Sequence, residues 1–372
     1  MNFKKVSIIG LGLIGGSLGM SLCRSGSVEE VAGYDLSPEA GREALARRAI
    51  HKQAPDPETA VAGADLVILA VPVERIPEIA ARIGPVLKEG AILTDVASTK
   101  ARLAATVPPL LPPGVYYVGG HPMAGMEASG IAAADPFLFQ NAVYLLTPAE
   151  GTPVWVRDCL VHLVRLVGGI PYFLRPEEHD LMVAAVSHLP HLTAAALVNT
   201  ACRLEREQPG TLSLAAGGFR DSTRIAMGSP ALWREIFRSN REPLLKVLTV
   251  FLDELRAFRE EIAGDQPEEL ENRLAAAARA REELPVKNKG FLTLLHELVV
   301  VVEDRPGAIA GVVNLLAAAE LNIKDIEILR IREGEAGTLR LAFEDASALA
   351  EAVRILRAKG FQVQERGAKR KR

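Results

Sequence analysis

The stretch VSIIGLGLIGGS, residues 6–17, decides the fold of the N-terminal part of the chain. Its glycines Gly10, Gly12 and Gly15 form the pattern G-x-G-x-x-G, after a predicted strand and at the start of a predicted helix. In that setting the first glycine permits a tight turn, the second lets a pyrophosphate approach the backbone, and the third lets helix and strand pack closely. The stretch predicts a dinucleotide-binding site. A glycine-rich structural turn without a ligand is the alternative.

An acidic residue stands where the ribose of a dinucleotide would lie. Asp35 ends the predicted second strand, about 20 residues beyond Gly15, and its carboxylate can accept hydrogen bonds from ribose hydroxyls. The same carboxylate repels a 2′-phosphate, and no arginine follows it directly, so we expect NAD rather than NADP as the cofactor. Four apolar residues complete the predicted cofactor contacts: Leu13, Ile14, Val71 and Pro72.

Strand-like apolar runs alternate with helical stretches as far as residue 174. The alternation predicts a parallel, doubly wound sheet of the Rossmann-like type, with strands that are covered on both faces. The predicted strands are Lys5–Ile9, Glu30–Tyr34, Leu66–Val71, Ala91–Thr94, Tyr116–Gly119, Ala142–Leu146 and Ile170–Leu174. The predicted helices are Leu13–Arg24, Pro38–Arg48, Pro77–Leu87 and Lys100–Leu110.

Beyond residue 174 the period of the sequence changes. Residues 175–284 contain long helical stretches, including an amphipathic one over Ala231–Ile262, and Pro190 predicts a kink in another. Their apolar faces predict an all-helical substrate and dimerisation domain. A linker is predicted over Leu284–Gly290, and residues 291–366 follow the order βαββαβ of a ferredoxin-like domain. The predicted elements of this last domain are Leu294–Val302, Ile309–Ala319, Ile323–Ile331, Leu339–Phe343, Ala346–Lys359 and Phe361–Gln364.

The composition excludes several classes of protein. The 372 residues carry 43 Lys and Arg against 46 Asp and Glu, and this balance argues against a general basic surface for nucleic acid. The scattered Cys23, Cys159 and Cys202 offer neither a disulfide framework nor zinc spacing, so we expect a cytoplasmic protein without a metal. The uncharged run from Val6 to Cys23 contains five glycines, which are poor for a lone membrane helix. We expect no other segment to span a membrane.

Two segments with reactive side chains follow predicted strands at the edge where parallel sheets bind ligands. His121 lies after the fifth strand, and neutral imidazole can take a proton from a substrate hydroxyl while hydride leaves the same carbon. Ser98 lies after the fourth strand and could hydrogen-bond that hydroxyl or orient His121. The alternatives are a histidine satisfied within its loop and a serine that caps the helix beginning near Lys100.

Two further motifs lie in the helical region. The sequence SHLPH, residues 187–191, places His188 and His191 on one helix face. A substrate cleft fits them better than a metal site, because no carboxylate pair accompanies them, and core histidines are the alternative. Arg224 follows Asp221 at helical spacing and could grip a carboxylate, whereas a plain surface pair of these two residues is the alternative.

Together these motifs resemble those of prephenate dehydrogenases that carry a C-terminal ACT domain. The resemblance covers nearly the whole chain, and its later motifs are more specific than the glycine-rich one. The matching segments are Gly10–Ser17, Asp95–Lys100, Gly120–Gly125, Ser187–His191 and Gly218–Ala226. The resemblance implies NAD-dependent oxidative decarboxylation of prephenate to 4-hydroxyphenylpyruvate in tyrosine biosynthesis. Arogenate dehydrogenase and, further off, a catalytically inactive amino-acid sensor are the alternatives.

The resemblance also implies roles for individual residues. His121 matches the histidine that polarises or deprotonates the ring hydroxyl, and Ser98 matches the serine that hydrogen-bonds it. Arg224 matches the arginine that binds a substrate carboxylate. Residues that match positions lining or gating the substrate cleft, or beside these, are Ser187, His188 and His191. Residues that match positions at the dimer contact or the cleft entrance are Asp221, Trp233 and Glu127.

The C-terminal domain has its own implied site. In ACT domains the turn after the first strand and a paired subunit form an amino-acid pocket, and N–H groups at a helix start suit a carboxylate. The residues assigned to this site are Asp304, Arg305, Pro306, Gly307, Asn322 and Ile323. The resemblance therefore implies a homodimer that binds tyrosine as a regulatory effector. A domain that only dimerises is the alternative.

Overall fold

The computed structural model describes residues 3–125, 129–283, 296–330 and 337–366. The chain divides into two compact units, Met1–Arg273 and Leu274–Arg372. The predicted linker over Leu284–Gly290 lies outside the described residues, and the three-domain division with its bounds stays a prediction.

A mixed sheet of eight strands forms the centre of the first unit. The strands are β1 (Phe3–Ile9), β2 (Val28–Tyr34), β3 (Lys52–Gln53), β4 (Leu66–Leu69), β5 (Ile92–Asp95), β6 (Tyr116–Pro122), β7 (Val143–Pro148) and β8 (Ile170–Phe173). They lie in the order β3-β2-β1-β4-β5-β6-β7-β8. Every residue of β4 is buried, as its continuously apolar sequence predicts for a strand covered on both faces. The predicted Rossmann-like fold is confirmed, although the sequence did not reveal the short edge strand β3.

Two strands, β7 and β8, run opposite to the direction predicted for a wholly parallel sheet. β7 runs antiparallel to β6, while β8 is again parallel to β7. A parallel connection needs a crossover of a dozen or more residues, usually a helix. The described part of the connection from β6 to β7 contains only the short 3₁₀ turn Ile131–Ala133, so β7 returns beside β6 in the opposite direction.

Six helices cover this sheet: α1 (Leu13–Ser25), α2 (Pro38–Ala46), α3 (Pro57–Val61), α4 (Ile76–Ile83), α5 (Ala101–Thr106) and α6 (Val154–Leu166). The sequence predicted four of them and missed α3 and α6. Gly10 precedes α1 with φ +94°, a conformation that favours glycine, and a Cβ there would lie 2.3 Å from the carbonyl oxygen of Ala70. A Cβ on Gly15 would lie 1.9 Å from the carbonyl oxygen of Gly10. The first and third glycines of the motif are therefore required by packing.

The rest of the first unit is helical, as predicted, and leads into a helix that crosses the boundary between the units. Its elements are α7 (Pro176–Val183), the π-helical turn Ala184–His188, α8 (Leu189–Glu207), α9 (Gly217–Thr223), α10 (Pro230–Ser239), α11 (Arg241–Ala263) and α12 (Pro267–Glu283). The kink predicted at Pro190 stays a prediction; the π-helical turn ends two residues before this proline, which has no N–H to continue the α-helical bonds. The stretch predicted over Ala231–Ile262 is broken at Asn240, where α10 ends and α11 begins.

One stretch of the first unit contradicts the expectation that no other segment could span a membrane. By length and hydropathy alone, Pro176–Glu207 is long and apolar enough to do so. It contains α7, the π-helical turn and α8, and it buries four polar side chains in the fold: His179, Asp180, His188 and His191.

The second unit contains the predicted βαββαβ order. Its elements are β9 (His296–Val302), α13 (Ala308–Ala318), β10 (Asp325–Arg330), β11 (Gly337–Phe343), α14 (Ala346–Ala358) and β12 (Val363–Arg366). The strands lie in the order β10-β11-β9-β12, and all neighbours are antiparallel. Alternate residues of β9, among them Leu298 and Val300, are fully buried against α13 and α14, so the ferredoxin-like prediction is confirmed.

Candidate functional site

A cleft of about 590 Å³ opens at the carboxyl edge of the large sheet, within the size range of small-molecule sites. Its walls come from the glycine-rich loop, the ends of β4, β5 and β6, the π-helical turn and α10. The predicted site residues that line it are Gly12, Leu13, Ile14, Val71, Pro72, Ser98, His121, Ser187, His188 and Trp233. The tertiary structure thus brings together residues from six separate parts of the sequence.

The glycine-rich end of this cleft fits a dinucleotide. A Cβ on Gly12 would meet no atom within 4 Å, so the backbone at this position is open to the cleft. Gly12 is also the N-cap of α1 and makes no side-chain cap, which leaves N–H groups at the helix start for a pyrophosphate. Asp35 accepts hydrogen bonds from the N–H groups of Leu11, at 2.8 Å, and Ser37, at 2.9 Å. These bonds fix the carboxylate at the end of β2, and its remaining lone pairs can accept from ribose hydroxyls.

The predicted base belongs to a chain of three polar side chains. Nδ1 of His121 lies 2.9 Å from Nε2 of His179, and Nδ1 of His179 lies 2.8 Å from the carboxylate of Asp180. His179 and Asp180 are buried on α7, whereas His121 ends at the cleft. Asp180 also accepts from the N–H groups of Lys100, at 2.7 Å, and Ala101, at 2.9 Å. The carboxylate therefore caps α5 and anchors the histidine pair at once.

This capping bears on one of the two predicted roles of Ser98, that of capping the helix that begins near Lys100. The N–H groups at the start of α5 are bonded to Asp180, so the serine does not cap that helix. Ser98 is half-buried and lines the same cleft as His121. It is therefore placed to meet a bound molecule.

A buried ion pair lies directly behind His121. Nζ of Lys100 is bonded to the carboxylate of Asp95 and donates to the carbonyl oxygen of Gly120 at 2.7 Å, and both charged side chains are fully buried. The hydroxyl of Tyr117 donates to the same carboxylate at 2.6 Å. The pair ties the end of β5 to the end of β6 and so fixes the backbone that carries His121.

The two histidines of the SHLPH motif lie on one face, as predicted, and meet the same tryptophan. The ring of His191 stacks on Trp233 with centroids 3.6 Å apart, and His188 meets the same indole edge-on at 6.1 Å. Nδ2 of Asn240 lies 3.0 Å from Nδ1 of His188 and donates to the carbonyl oxygen of Asp180 at 2.8 Å. The break between α10 and α11 thus places an amide against His188.

Burial favours the neutral form of these imidazoles. It lowers the pKa of His121 well below its usual value, and the nearby His179 and Lys100 add to the effect. Burial also lowers the pKa of His179, although Asp180 opposes it, and that of His191. It lowers the pKa of His188 from 6.5 to about 4.

These shifts predict a loss of stability in acid. The pKa of His188 is lower in the folded chain than in the unfolded chain. Between about pH 6.5 and pH 4 the unfolded chain therefore binds more protons than the folded chain does. We expect the free energy of unfolding to fall between about pH 6.5 and pH 4, by about 3 kcal/mol from His188 alone. Urea unfolding at fixed protein concentration across this range measures the decline. The free energy of unfolding of His188→Gln should decline less steeply with falling pH than that of the wild type. For His51→Gln, which alters an exposed histidine, it should decline as steeply as for the wild type. Equal slopes for all three would contradict the assignment.

Some predicted residues lie away from the cleft lining. Asp221 and Arg224 are exposed at the end of α9 and beyond it, and neither lines the cleft. His191 reaches the cleft only through its stack on Trp233. Glu127 lies outside the described residues. In the second unit, the residues assigned to the regulatory site occupy the turn before α13 and the segment before β10.

Four residues of this site were given no role from the sequence: His179, Asp180, Asn240 and Lys100. His179 and Asp180 received no role, although adjacent polar residues in a largely apolar helical stretch were a signal of burial. Asn240 lay inside a stretch taken as continuous helix. Lys100 was noted only as part of a segment, and its proximity to Asp95 at a strand end was the available signal. Within the described ranges, no group of three His, Cys, Asp or Glu side chains is arranged to hold a metal ion.

Three sequence-family profiles match consecutive parts of the chain. The profile described as "Prephenate dehydrogenase, nucleotide-binding domain" matches residues 18–171, and "Prephenate dehydrogenase, dimerization domain" matches residues 175–276. The profile "ACT domain" matches residues 296–361.

Individual relatives agree with these profiles. A prephenate dehydrogenase from Bacillus subtilis is 36% identical over 349 residues, which are 92% of this chain and 94% of the relative. The crystal structure of a prephenate dehydrogenase from A. aeolicus in complex with hydroxyphenyl propionate and NAD+ is 33% identical. The match covers 77% of this chain and 99% of the chain in that crystal structure, with a TM-score of 0.71. The crystal structure of Synechocystis arogenate dehydrogenase is 31% identical in sequence. The match covers 76% of this chain and 100% of the chain in that structure, with a TM-score of 0.67.

Proposed function

Because the chain belongs to the prephenate dehydrogenase family, we propose that it catalyses the NAD-dependent oxidative decarboxylation of prephenate to 4-hydroxyphenylpyruvate. The resemblance found in the sequence motifs is confirmed by the 36% identity to the Bacillus subtilis relative over most of both chains. The observation that carries the proposal is the single cleft that has a dinucleotide loop at one end and His121 and Ser98 on its wall.

The proposed chemistry begins at the ring hydroxyl of prephenate. His121 takes the hydroxyl proton while the hydrogen on the same carbon leaves as hydride, and Ser98 hydrogen-bonds the hydroxyl oxygen. NAD, when bound, supplies the hydride acceptor. The carboxylate on the ring then leaves as carbon dioxide, its bonding electrons enter the ring to make it aromatic, and His121 returns its proton to the ring oxygen. The products are 4-hydroxyphenylpyruvate, carbon dioxide and NADH, so atoms and charge balance.

Other residues are proposed to hold the substrate. His188, Ser187 and Trp233 line the same cleft as the glycine-rich loop, and the anionic groups of prephenate need donors there. We assign Arg224 to a substrate carboxylate and His191 to the support of Trp233, on the strength of the sequence motifs and the ring stack. Asp221 is assigned to the dimer contact near the cleft.

NADH formation, followed by absorbance, tests the proposal directly. Prephenate and arogenate are supplied in parallel, each with NAD or with NADP. We expect turnover with prephenate and NAD, because Asp35 repels the 2′-phosphate of NADP. No turnover with either substrate, despite measurable NAD binding, would overturn the proposal and favour an inactive sensor.

Arogenate dehydrogenase is the second candidate. The observation that favours it is the similarity to the Synechocystis arogenate dehydrogenase, which is 31% identical over its full length. Arogenate carries an amino group in place of the side-chain ketone, and the hydroxyl and the ring carboxylate are unchanged. The assignments of His121 and Ser98 therefore apply to both substrates, and turnover with arogenate alone would move the substrate without changing the mechanism.

We further propose that the chain works in the cytoplasm as a homodimer through its helical region. The matching profile for residues 175–276 is a dimerization domain, and helices there expose large apolar side chains. Examples are Leu204 on α8 and Val250 on α11, which are 47% and 61% exposed. Exposed apolar surface of this kind is what a second copy of the chain would cover in a homodimer.

Tyrosine is the proposed effector of the second unit. We expect tyrosine to lower the rate of NADH formation and to raise Tm, because a ligand that binds only the folded chain stabilises it. Titration of both quantities with tyrosine is the measurement, with phenylalanine as the matched ligand. Asn322→Ala, at an exposed position before β10, should weaken both effects without changing the basal rate. Tyrosine that changes neither rate nor Tm would contradict regulation and leave dimerisation as the role of this unit.

A further inference from the structure

The cleft presents two imidazoles, and each has one ring nitrogen held by a buried partner outside the cleft. We propose that these partners fix opposite tautomers: His121 faces the cleft with an unprotonated Nε2, and His188 faces it with a protonated Nε2. His179, Asp180 and Asn240 are then positioning residues. The inference deepens the proposed function and rests on it only for its chemical consequence.

The tautomer of His121 follows from the carboxylate at the far end of its chain. The N–H groups of Lys100 and Ala101 point at the two oxygens of Asp180, so this side chain acts as an acceptor. Nδ1 of His179, 2.8 Å from that carboxylate, must therefore carry a proton and donate it. A neutral His179 then has only a lone pair on Nε2, and Nδ1 of His121 must donate to it across 2.9 Å. Nε2 of His121 is left unprotonated.

The tautomer of His188 follows from an amide. The carbonyl oxygen of Asp180 can only accept, so the atom of Asn240 that lies 2.8 Å from it is the NH₂ group. The same NH₂ group lies 3.0 Å from Nδ1 of His188, which must accept. A neutral His188 therefore carries its proton on Nε2.

The two tautomers suit two tasks in one cleft. An unprotonated Nε2 on His121 can take the proton of a substrate hydroxyl, and the positive charge that forms is stabilised through His179 by Asp180. A protonated Nε2 on His188 can donate to an anionic or carbonyl oxygen of the substrate without bringing a net charge. The reverse tautomers would leave the hydroxyl facing a donor and the substrate oxygens facing a lone pair.

Neutron crystallography of the full-length deuterated chain tests the assignment without requiring turnover. We expect deuterium on Nδ1 but not on Nε2 of His121, and on Nε2 but not on Nδ1 of His188. Deuterium on Nε2 of His121 with a bare Nδ1, or a bare Nε2 on His188, would overturn the proposal. Failure of the proposed function shows separately, as absence of prephenate turnover by the wild-type chain.

Kinetics of two variants at one position test the part played by His179. His179→Leu removes both hydrogen bonds and is expected to lower kcat by about 10- to 100-fold, with the NAD affinity unchanged. His179→Gln keeps an oxygen that can accept from His121 and an NH₂ that can donate to Asp180, so it should restore most of kcat. His162→Leu removes a histidine of α6 whose Nε2 has no partner, and should leave kcat unchanged. The assignment fails if His179→Leu keeps its kcat or if glutamine is as damaging as leucine.

Discussion

The variant His121→Asn is expected to lower kcat for prephenate oxidation by about 1,000-fold, within the range contributed by a positioned general base. Asparagine is close in size and can still hydrogen-bond to His179, but it cannot take up the hydroxyl proton. The glycine-rich loop and Asp35 follow other strands, β1 and β2, so the affinity for NAD should stay within about twofold of the wild type. The effect is therefore expected in kcat rather than in cofactor binding.

Steady-state kinetics with prephenate and NAD, together with NAD binding followed by fluorescence or calorimetry, measure both quantities. The matched control is His51→Asn, which alters an exposed histidine that accepts from the N–H of Val31. Its kcat should equal that of the wild type. Near-normal turnover by His121→Asn would show that the base is another group, and a parallel loss of NAD binding would show that the substitution disturbs the fold of the cleft.

The variant Lys100→Met is expected to lower the free energy of unfolding by about 3–5 kcal/mol. In the wild type, the ammonium of Lys100 and the carboxylate of Asp95 are both fully buried. Removing the ammonium leaves an unpaired negative charge in the interior. Hydrogen bonds from Tyr117 and from the N–H of Ala97 still reach this carboxylate but carry no positive charge. The carbonyl oxygen of Gly120 also loses its donor.

Urea unfolding at neutral pH measures the loss. The exposed pair of Arg354 and Glu351 provides the matched control, since its side chains are 69% and 43% exposed. Arg354→Met should therefore cost no more than about 1 kcal/mol. Adding Asp95→Asn to Lys100→Met removes the stranded charge and should recover part of the stability. A cost for Lys100→Met as small as that for Arg354→Met would contradict the role given to this pair.

Local sequence patterns account for most of the fold. Gly10 is needed for a left-handed turn and Gly15 for close packing, and both requirements hold in the folded chain. The apolar runs of the sheet and the βαββαβ order of the second unit were predicted because periodicity is a property of consecutive residues. The direction of β7 was not, because it depends on how the connection from β6 to β7 packs rather than on the strand itself.

The candidate site divides in the same way. The sequence alone determined the family, the dinucleotide loop, and the positions of His121, Ser98 and His188, because these residues lie in short continuous motifs. Only the tertiary structure joined His121 to His179 and Asp180, whose side chains meet across 58 positions of the chain. It also placed Asn240 against His188, which lies 52 positions earlier in the sequence. Hydrogen bonds of this kind depend on how α7, α10 and α11 pack against the sheet edge, and no local pattern records that packing.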